Sequence, residues 1–480
     1  MTDHQLLALL PFMVLAAASI VVTLLIAFRQ SHTVIQVTGF VLMCGVLGAM
    51  WFARGILPQE VLPLLAVDGF AALFTGLIVF SVLVVGLLSF IYFEEREENP
   101  KEYYILLFLG SLGAAILTIS RHFISFFLGL ELLSISLYAL IAYLRTRNNA
   151  VEAGMKYLVL AAVTSAFLLF GMALIYMETG SLEFGGMARR TDIISSPLFL
   201  TGLGLMVVAI GFKLALVPFH LWAADVYQGA PAPVTALIAT VSKIGVFAVL
   251  LRFAAVLELQ SYGPALVLFS ALAVVSMIVG NLLALQQQNL KRLLAYSSIA
   301  HLGYLLVAFL PGNEAGIEAA VFYLLAYSIT ILAAFGIVTV LSTRQRDAES
   351  LAEYRGLFWR HPVMALVLTV AMLSLAGIPL TGGFIGKFMV LTSGVQQGLW
   401  VPVIVLVLTS VVGVYYYLRV IGVLFSEAPA AVARERVLHP WFYAITYTAL
   451  VVLVLLLFWI GVFPNAVLQG IRAFLEIGAG

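Results

Sequence analysis

Charge is scarce in this 480-residue sequence: only 10% of residues are Asp, Glu, Lys or Arg, and the formal net charge is +1. That balance gives no reason to expect nucleic acid as a partner. Cysteine is nearly absent too. The single Cys44 sits in an apolar run with no second thiol for a disulfide or a metal site, which leaves it as a packing residue. Lysine is the rarer base, 6 against 18 arginines. What the chain has instead is 63% hydrophobic residues and a mean hydropathy of +1.12, incompatible with a soluble protein of this length. It is an all-α polytopic membrane protein. The first apolar run, Leu6 to Phe28, has no Lys or Arg before it and is too long for a signal-peptide core, so it reads as a retained span.

Windows of about 20 residues give about fourteen transmembrane spans. They run 6–28, 34–53, 69–93, 103–120, 123–144, 152–177, 198–228, 232–257, 264–286, 291–310, 315–342, 363–397, 400–425 and 441–468, with Arg54 to Asp68 as an external loop. With the N-terminus outside, fourteen basic residues fall on the cytoplasmic side, among them Arg96, Arg147, Lys291, Arg346, Arg434 and Arg436. Six fall outside, including Arg189, Arg190 and Arg252. The positive-inside rule favours this orientation, with both termini outside. The charged loop Thr343 to His361 is then cytoplasmic; its charge reads as a solvated face and Ala348 to Trp359 as a short interfacial helix.

Spans 7 and 12 are too long for one straight crossing, and both contain a proline that breaks the helix, Pro218 and Pro379. Each also carries a buried lysine. Their separation by five spans suggests two inverted five-helix repeats, spans 4–8 and 9–13. The organisation is one membrane domain, 1–480, divided into an N-terminal three-span segment (1–100), two repeats (103–257 and 264–425) and a last span (441–480).

Lys213 stands 15 residues from both Leu198 and Gln228, so neither end of its segment brings the ammonium near water. Lys243 and Lys387 repeat that depth. A charge at such depth costs about 2.5 kcal/mol or more and faces a cavity, a partner or an ion path. Glu131 is the one acid near the middle of a span, and pairing it with Lys213 satisfies both. Such a pair is either a fastening between helices or part of a proton relay. One acid cannot neutralise three lysines, so at least one lysine is expected to spend time neutral. Interior lysine can carry a mobile proton, whereas arginine cannot. His301, beside Ser297, Ser298 and Tyr304, is a possible relay or a hydrogen-bonded packing residue, and His220, Lys291 and Lys156 are further candidates. The GLG at 202–204 lacks a preceding strand and a third glycine, so it binds no nucleotide.

The segments GFKLALVPFHLWAADVYQGAPAPVTALIATVSKIGVFAVLLR, NLKRLLAYSSIAHLGYLLVAF and LSLAGIPLTGGFIGKF, with VDGFAALFTGL at 67–77, resemble the antiporter-like membrane subunits of respiratory complex I. Among these, the chain is most similar to the N type of bacterial proton-translocating NADH-quinone oxidoreductase. The resemblance implies a midplane proton path in which Glu131 is the fifth-span acid, Lys213 the seventh-span lysine, Lys243 the connecting base and Lys387 the terminal residue. The M type carries Glu at the last position. The L type extends into a long lateral helix, for which the twelve residues after Leu468 leave no room. It further implies a subunit of the bacterial inner membrane that is an enzyme only within its complex. FMN, iron-sulfur clusters and quinone are expected in partner subunits, with no cofactor in this chain, and the partners are other complex I membrane subunits and the lipid bilayer. Two alternatives stand beside it: a subunit of a multi-subunit sodium/proton antiporter, and a scaffold that transports nothing.

Overall fold

The computed structural model describes residues 1–94, 96, 100–188, 196–259, 262–427 and 440–477. Arg189, Arg190, Arg434 and Arg436, used above in the charge count, lie outside these. Helices α1 (Asp3–Ala27) and α2 (His32–Ala53) lead to a small antiparallel hairpin, β1 (Gln59–Val61) with β2 (Leu65–Val67), inside the segment expected as a loop. Then follow α3 (Gly69–Glu94), α4 (Lys101–Ile119), α5 (Phe123–Ile141), α6 (Asn148–Thr179) and the short α7 (Phe184–Ala188). Span 7 is two helices, α8 (Pro197–Leu214) and α9 (Leu221–Gly229). Span 8 runs from α10 (Ala232–Leu237) through a π-helical turn (Ile238–Ser242) into α11 (Lys243–Val256). The chain continues with α12 (Gly263–Leu285), α13 (Leu290–Phe309), α14 (Glu314–Leu341) and α15 (Leu357–Arg360). Span 12 is also divided, into α16 (Pro362–Ala376) and α17 (Gly382–Gln396), and α18 (Trp400–Phe425), α19 (Pro440–Val462) and α20 (Pro464–Glu476) complete the order.

Thirteen helices among the described residues are long and apolar enough to cross a membrane. The fourteenth expected span is the α16–α17 pair, in which neither half is long enough alone. The last span ends earlier than the sequence suggests, because Pro464 starts a new helix that mixes Gln469, Arg472 and Glu476 with apolar residues.

Burial sorts the bundle. The crossing from Ala232 to Val256 is buried throughout its most apolar stretch, and α13 and α14 nearly so, whereas α1 and α2 present most of their surface outward. The central α14 packs against α3, α16, α17 and α19. Cys44 is exposed on α2, so within this chain it is not the packing residue expected. On the end of the bundle opposite the basic loops, Arg252 grips Asp68 with two bonds of 2.8 Å and donates from Nε to the Thr118 carbonyl, tying span 8 to the start of α3 and the end of α4.

Candidate functional site

Both helix breaks solve the same problem in backbone hydrogen bonding. A helix that stops inside an apolar layer leaves carbonyls with no water to bind, and each must find a donor within the protein. At the first break Ala215 turns left-handed (φ 58°), and the Leu216 N–H reaches back to the Gly211 carbonyl at 2.8 Å. Trp222 Nε1 donates to Phe212 O at 2.9 Å, and Lys243 Nζ donates to Lys213 O at 3.3 Å. At the second break Gly377 takes the left-handed position (φ 81°), and Ile378 N–H reaches back to Leu373 O at 3.0 Å. Lys387 Nζ then donates to Leu375 O at 2.7 Å and Ala376 O at 3.0 Å. In each case a lysine amine closes the end of a half-helix.

The π-helical turn Ile238–Ser242 immediately precedes Lys243 and widens the helix where its side chain must lie beside the end of α8. Gly377 is required on its own account. A Cβ there would sit 2.8 Å from Lys387 Cδ, and its backbone angle disfavours any other residue.

Lys213, Lys243 and Lys387 have relative exposures of 1, 0 and 9%, and among the described residues none of them pairs with a carboxylate. Lys213 Nζ donates to Ser134 Oγ at 2.7 Å and to Tyr157 OH at 3.3 Å, and lies 5.0 Å from the Tyr157 ring. Glu131, three residues before Ser134 on α5, instead accepts from the Ser165 hydroxyl of α6. The expected direct Glu131–Lys213 pair is therefore not formed. Glu131 and Ser134, the acceptor of the α8 lysine, are one turn apart on α5, so the two charged groups approach the same stretch of α5 without touching, each with its own serine.

The other candidates separate by position. On α13, Lys291, Ser298 and His301 share one face at spacings of seven and three residues. His301 is buried, with Nδ1 2.6 Å from Tyr323 OH and Nε2 3.0 Å from Tyr417 OH. Ser298 meets Tyr227 and Tyr327, and Tyr304 lies under Lys387 with 5.2 Å from Nζ to its ring centre. Among the described residues no hydrogen bond joins Lys243 to this hydroxyl cluster. Lys156 is different in kind: it is half exposed and held by Glu152 at 2.7 Å and Asp225 at 2.9 Å. It lines a polar cavity of about 180 Å³ with Asn149, Asp225 and Gln228. His220 precedes α9 at the break, and among the described residues its Nδ1 has no hydrogen-bond partner.

Sequence reasoning missed Asp347. Its loop was expected to be a solvated face, but Asp347 is 4% exposed and accepts from Tyr92 OH at 2.6 Å, Arg147 at 3.1 Å and Lys291 at 2.8 Å, with Arg96 at 3.6 Å. Burial alone would push its carboxyl up, but Lys291, Arg147 and Arg96 hold it well below the usual carboxylate range. The segment Ala348 to Trp359 forms a single turn at Leu351–Tyr354 and then α15, rather than one interfacial helix. Asn281 was missed as well; deep in α12 it joins Tyr304 and Tyr416 by bonds of 3.0 Å.

Residues 120–413 match the family described as NADH:quinone oxidoreductase/Mrp antiporter, TM. Among solved structures, a chain of respiratory complex I from Thermus thermophilus with bound aureothin has a TM-score of 0.82 and 34% identity, covering 96% of this chain and 98% of that one. A chain of the membrane-bound sulfane sulfur reductase, an archaeal respiratory membrane complex, has a TM-score of 0.85 and 27% identity over 98% of both chains. A chain of the Mrp complex from Dietzia sp. DQ12-45-1b shares the fold, with a TM-score of 0.84 at 20% identity over 98% of this chain and 96% of that one.

Proposed function

This chain belongs to the family of NADH:quinone oxidoreductase/Mrp antiporter membrane subunits, and from that premise we propose that it is a proton-translocating subunit of an NADH-quinone oxidoreductase, of the N type. Protons move along Glu131, Lys213 and Lys243 in the first half and through the His301 cluster to Lys387 in the second. The energy comes from quinone reduction elsewhere in the complex, where partner subunits hold FMN, iron-sulfur clusters and quinone. The basic loops face the cytoplasm of a bacterial cell, both termini face outward, and the neighbours are other membrane subunits.

One observation carries this reading: three buried lysines sit at or beside helix breaks, and their amines rest on carbonyls and hydroxyls rather than on carboxylates. Structural ion pairs would have brought an acid to each. Without one, each amine is free to exchange a proton with a hydroxyl or a neighbouring base as its surroundings change.

The test is purification in mild detergent followed by reconstitution with a pH-sensitive dye. Flavin and iron-sulfur subunits are expected to travel with the chain, and quinone reduction to drive acidification. Sodium-dependent exchange without quinone would instead assign the chain to an antiporter. Quinone reduction with unaltered proton movement after loss of all three lysines would reduce it to a scaffold.

A further inference from the structure

The buried charge cluster around Asp347 has no place in the path just described, yet it touches one of its candidates. Lys291 Nζ, fully buried, has three acceptors: Asp347 at 2.8 Å, Gln228 O at 2.9 Å and Ala230 O at 2.6 Å. Those two carbonyls are at the end of α9 and in the turn that leads to α10, and Gln228 also lines the polar cavity that holds Lys156 and Asp225. Above Lys291 on the same face of α13 is Ser298, about 10 Å along the axis at 1.5 Å per residue, hydrogen-bonded to Tyr227 and Tyr327. Lys291 thus stands between an open polar cavity at the basic end of the bundle and the buried hydroxyls that surround His301.

The strap that delivers Asp347 is fixed on both flanks. Leu290 N–H donates to Glu349 O at 2.6 Å, and Leu351 N–H donates to Gln288 O at 3.0 Å. Arg96 holds Thr343 O at 2.7 Å, and Arg147 holds Arg344 O at 3.2 Å. Asp347 Oδ1 faces Tyr92, Arg147 and Arg96, while Oδ2 is the oxygen that meets Lys291. The carboxylate therefore has one oxygen committed to anchoring and the other to the lysine.

We propose that Asp347 is a positioning residue for proton transfer: it holds the Lys291 amine at the junction of the cytoplasmic cavity and the α13 hydroxyl chain, so that protons pass from cavity to chain through Lys291. This rests on the proton-translocating reading above. In the step itself, the Lys291 amine swings from its carbonyl acceptors toward the hydroxyls and gives up a proton as the hydroxyl that receives it passes its own proton on toward His301; the neutral amine then takes a proton from the cavity side, with no net change in Lys291 or in the hydroxyl.

The test compares assembled complexes carrying single substitutions, reading the ratio of protons moved to electron pairs passed. A purely structural role lowers both together and leaves the ratio alone. Asp347→Asn is expected to cut the ratio at least fivefold while electron transfer continues, and Asp347→Glu to restore it to within twofold. An unchanged ratio in assembled Asp347→Asn overturns the proposal. If Asp347→Asn does not assemble, the same question is put to Lys291→Gln and Arg147→Gln. The first removes the positioned amine and is expected to lower the ratio; the second removes an anchor from the other oxygen and is expected to keep it within twofold. Equal ratios in those two variants overturn the proposal. A wild-type complex that passes electrons and moves no protons fails the earlier reading instead, and is recognised before any variant is made.

Discussion

Lys387 has two duties that one substitution can separate. Its amine makes two bonds, of 2.7 and 3.0 Å, to the last carbonyls of α16, and it is the terminal group of the proposed path. Hydrogen bonds to a charged donor contribute about 1.5–3 kcal/mol each, so Lys387→Ala removes about 3–6 kcal/mol of local stabilisation and strands two carbonyls in an apolar layer. Loss of proton transfer in that variant would therefore say little about a relay. Lys387→Arg is the sharper perturbation. The guanidinium presents a fork of donors that can serve both carbonyls, and Gly377, without a Cβ, leaves room beside the stem. With a solution pKa above 12, guanidinium is neutral in fewer than about 1 molecule in 10⁵ at neutral pH. Assembly and electron transfer should stay within twofold of wild type, and proton transfer into dye-loaded vesicles should fall at least tenfold. Wild-type proton transfer by Lys387→Arg would refute the relay and leave Lys387 as a helix cap.

Gly377→Ala places a methyl 2.8 Å from Lys387 Cδ at a left-handed backbone angle; it should lower stability by about 1–2 kcal/mol and reduce proton transfer, both read on the purified complex. Gly398→Ala, also at a left-handed angle (φ 70°), should share the stability cost, but a Cβ there meets nothing and Lys387 is untouched, so proton transfer should be unchanged. Tags at Met1 and Gly480 should be accessible from outside the cell membrane and a tag near Arg346 from the cytoplasm; termini on opposite sides would remove the inverted-repeat topology. The double variant Glu131→Gln with Lys213→Met deletes both charges without stranding either, so it should assemble and yet move no protons. Near-normal quinone-driven acidification by that variant would make these two groups a fastening between helices.

The class, the span count and both breaks were legible in the sequence because each follows from local chemistry. Long apolar runs need membranes, and Pro218 and Pro379 cannot continue a helix. The three interior lysines stood out for the same reason. What sequence spacing does not carry is the choice among nearby partners. Glu131 and Lys213 were reasonable as a pair on charge alone, but Ser165 and Ser134 are small hydroxyls on the facing turns and reach each group first. Asp347 was hidden by its company: a loop reading TRQRDAES looks solvated, and only the fold brings Arg96, Arg147 and Lys291 from three other elements around that one acid. Asn281 gave a fainter signal, a lone amide in an apolar helix, that periodicity alone does not distinguish from a packing residue.

The placement of lysines against carbonyls gives the proposed relay a physical means of coupling charge to shape. An ammonium bonded to helix-end carbonyls is stabilised both by the bonds and by the partial negative charge of that helix terminus. When Lys243 or Lys387 gives up its proton, the charge-assisted part of those bonds is lost, about half of their strength, and the half-helix end is less firmly held. The converse follows from linkage: any shift of α8 or α16 that withdraws those carbonyls weakens the hold on the proton. Lys243 bonds to the backbone oxygen of Lys213 itself, so a movement of the α8 end alters the surroundings of both amines at once. A helix left continuous at Pro218 would have no such free carbonyl to offer. The breaks are therefore the part of the fold through which a displacement elsewhere in a complex can reach the proton on a buried lysine.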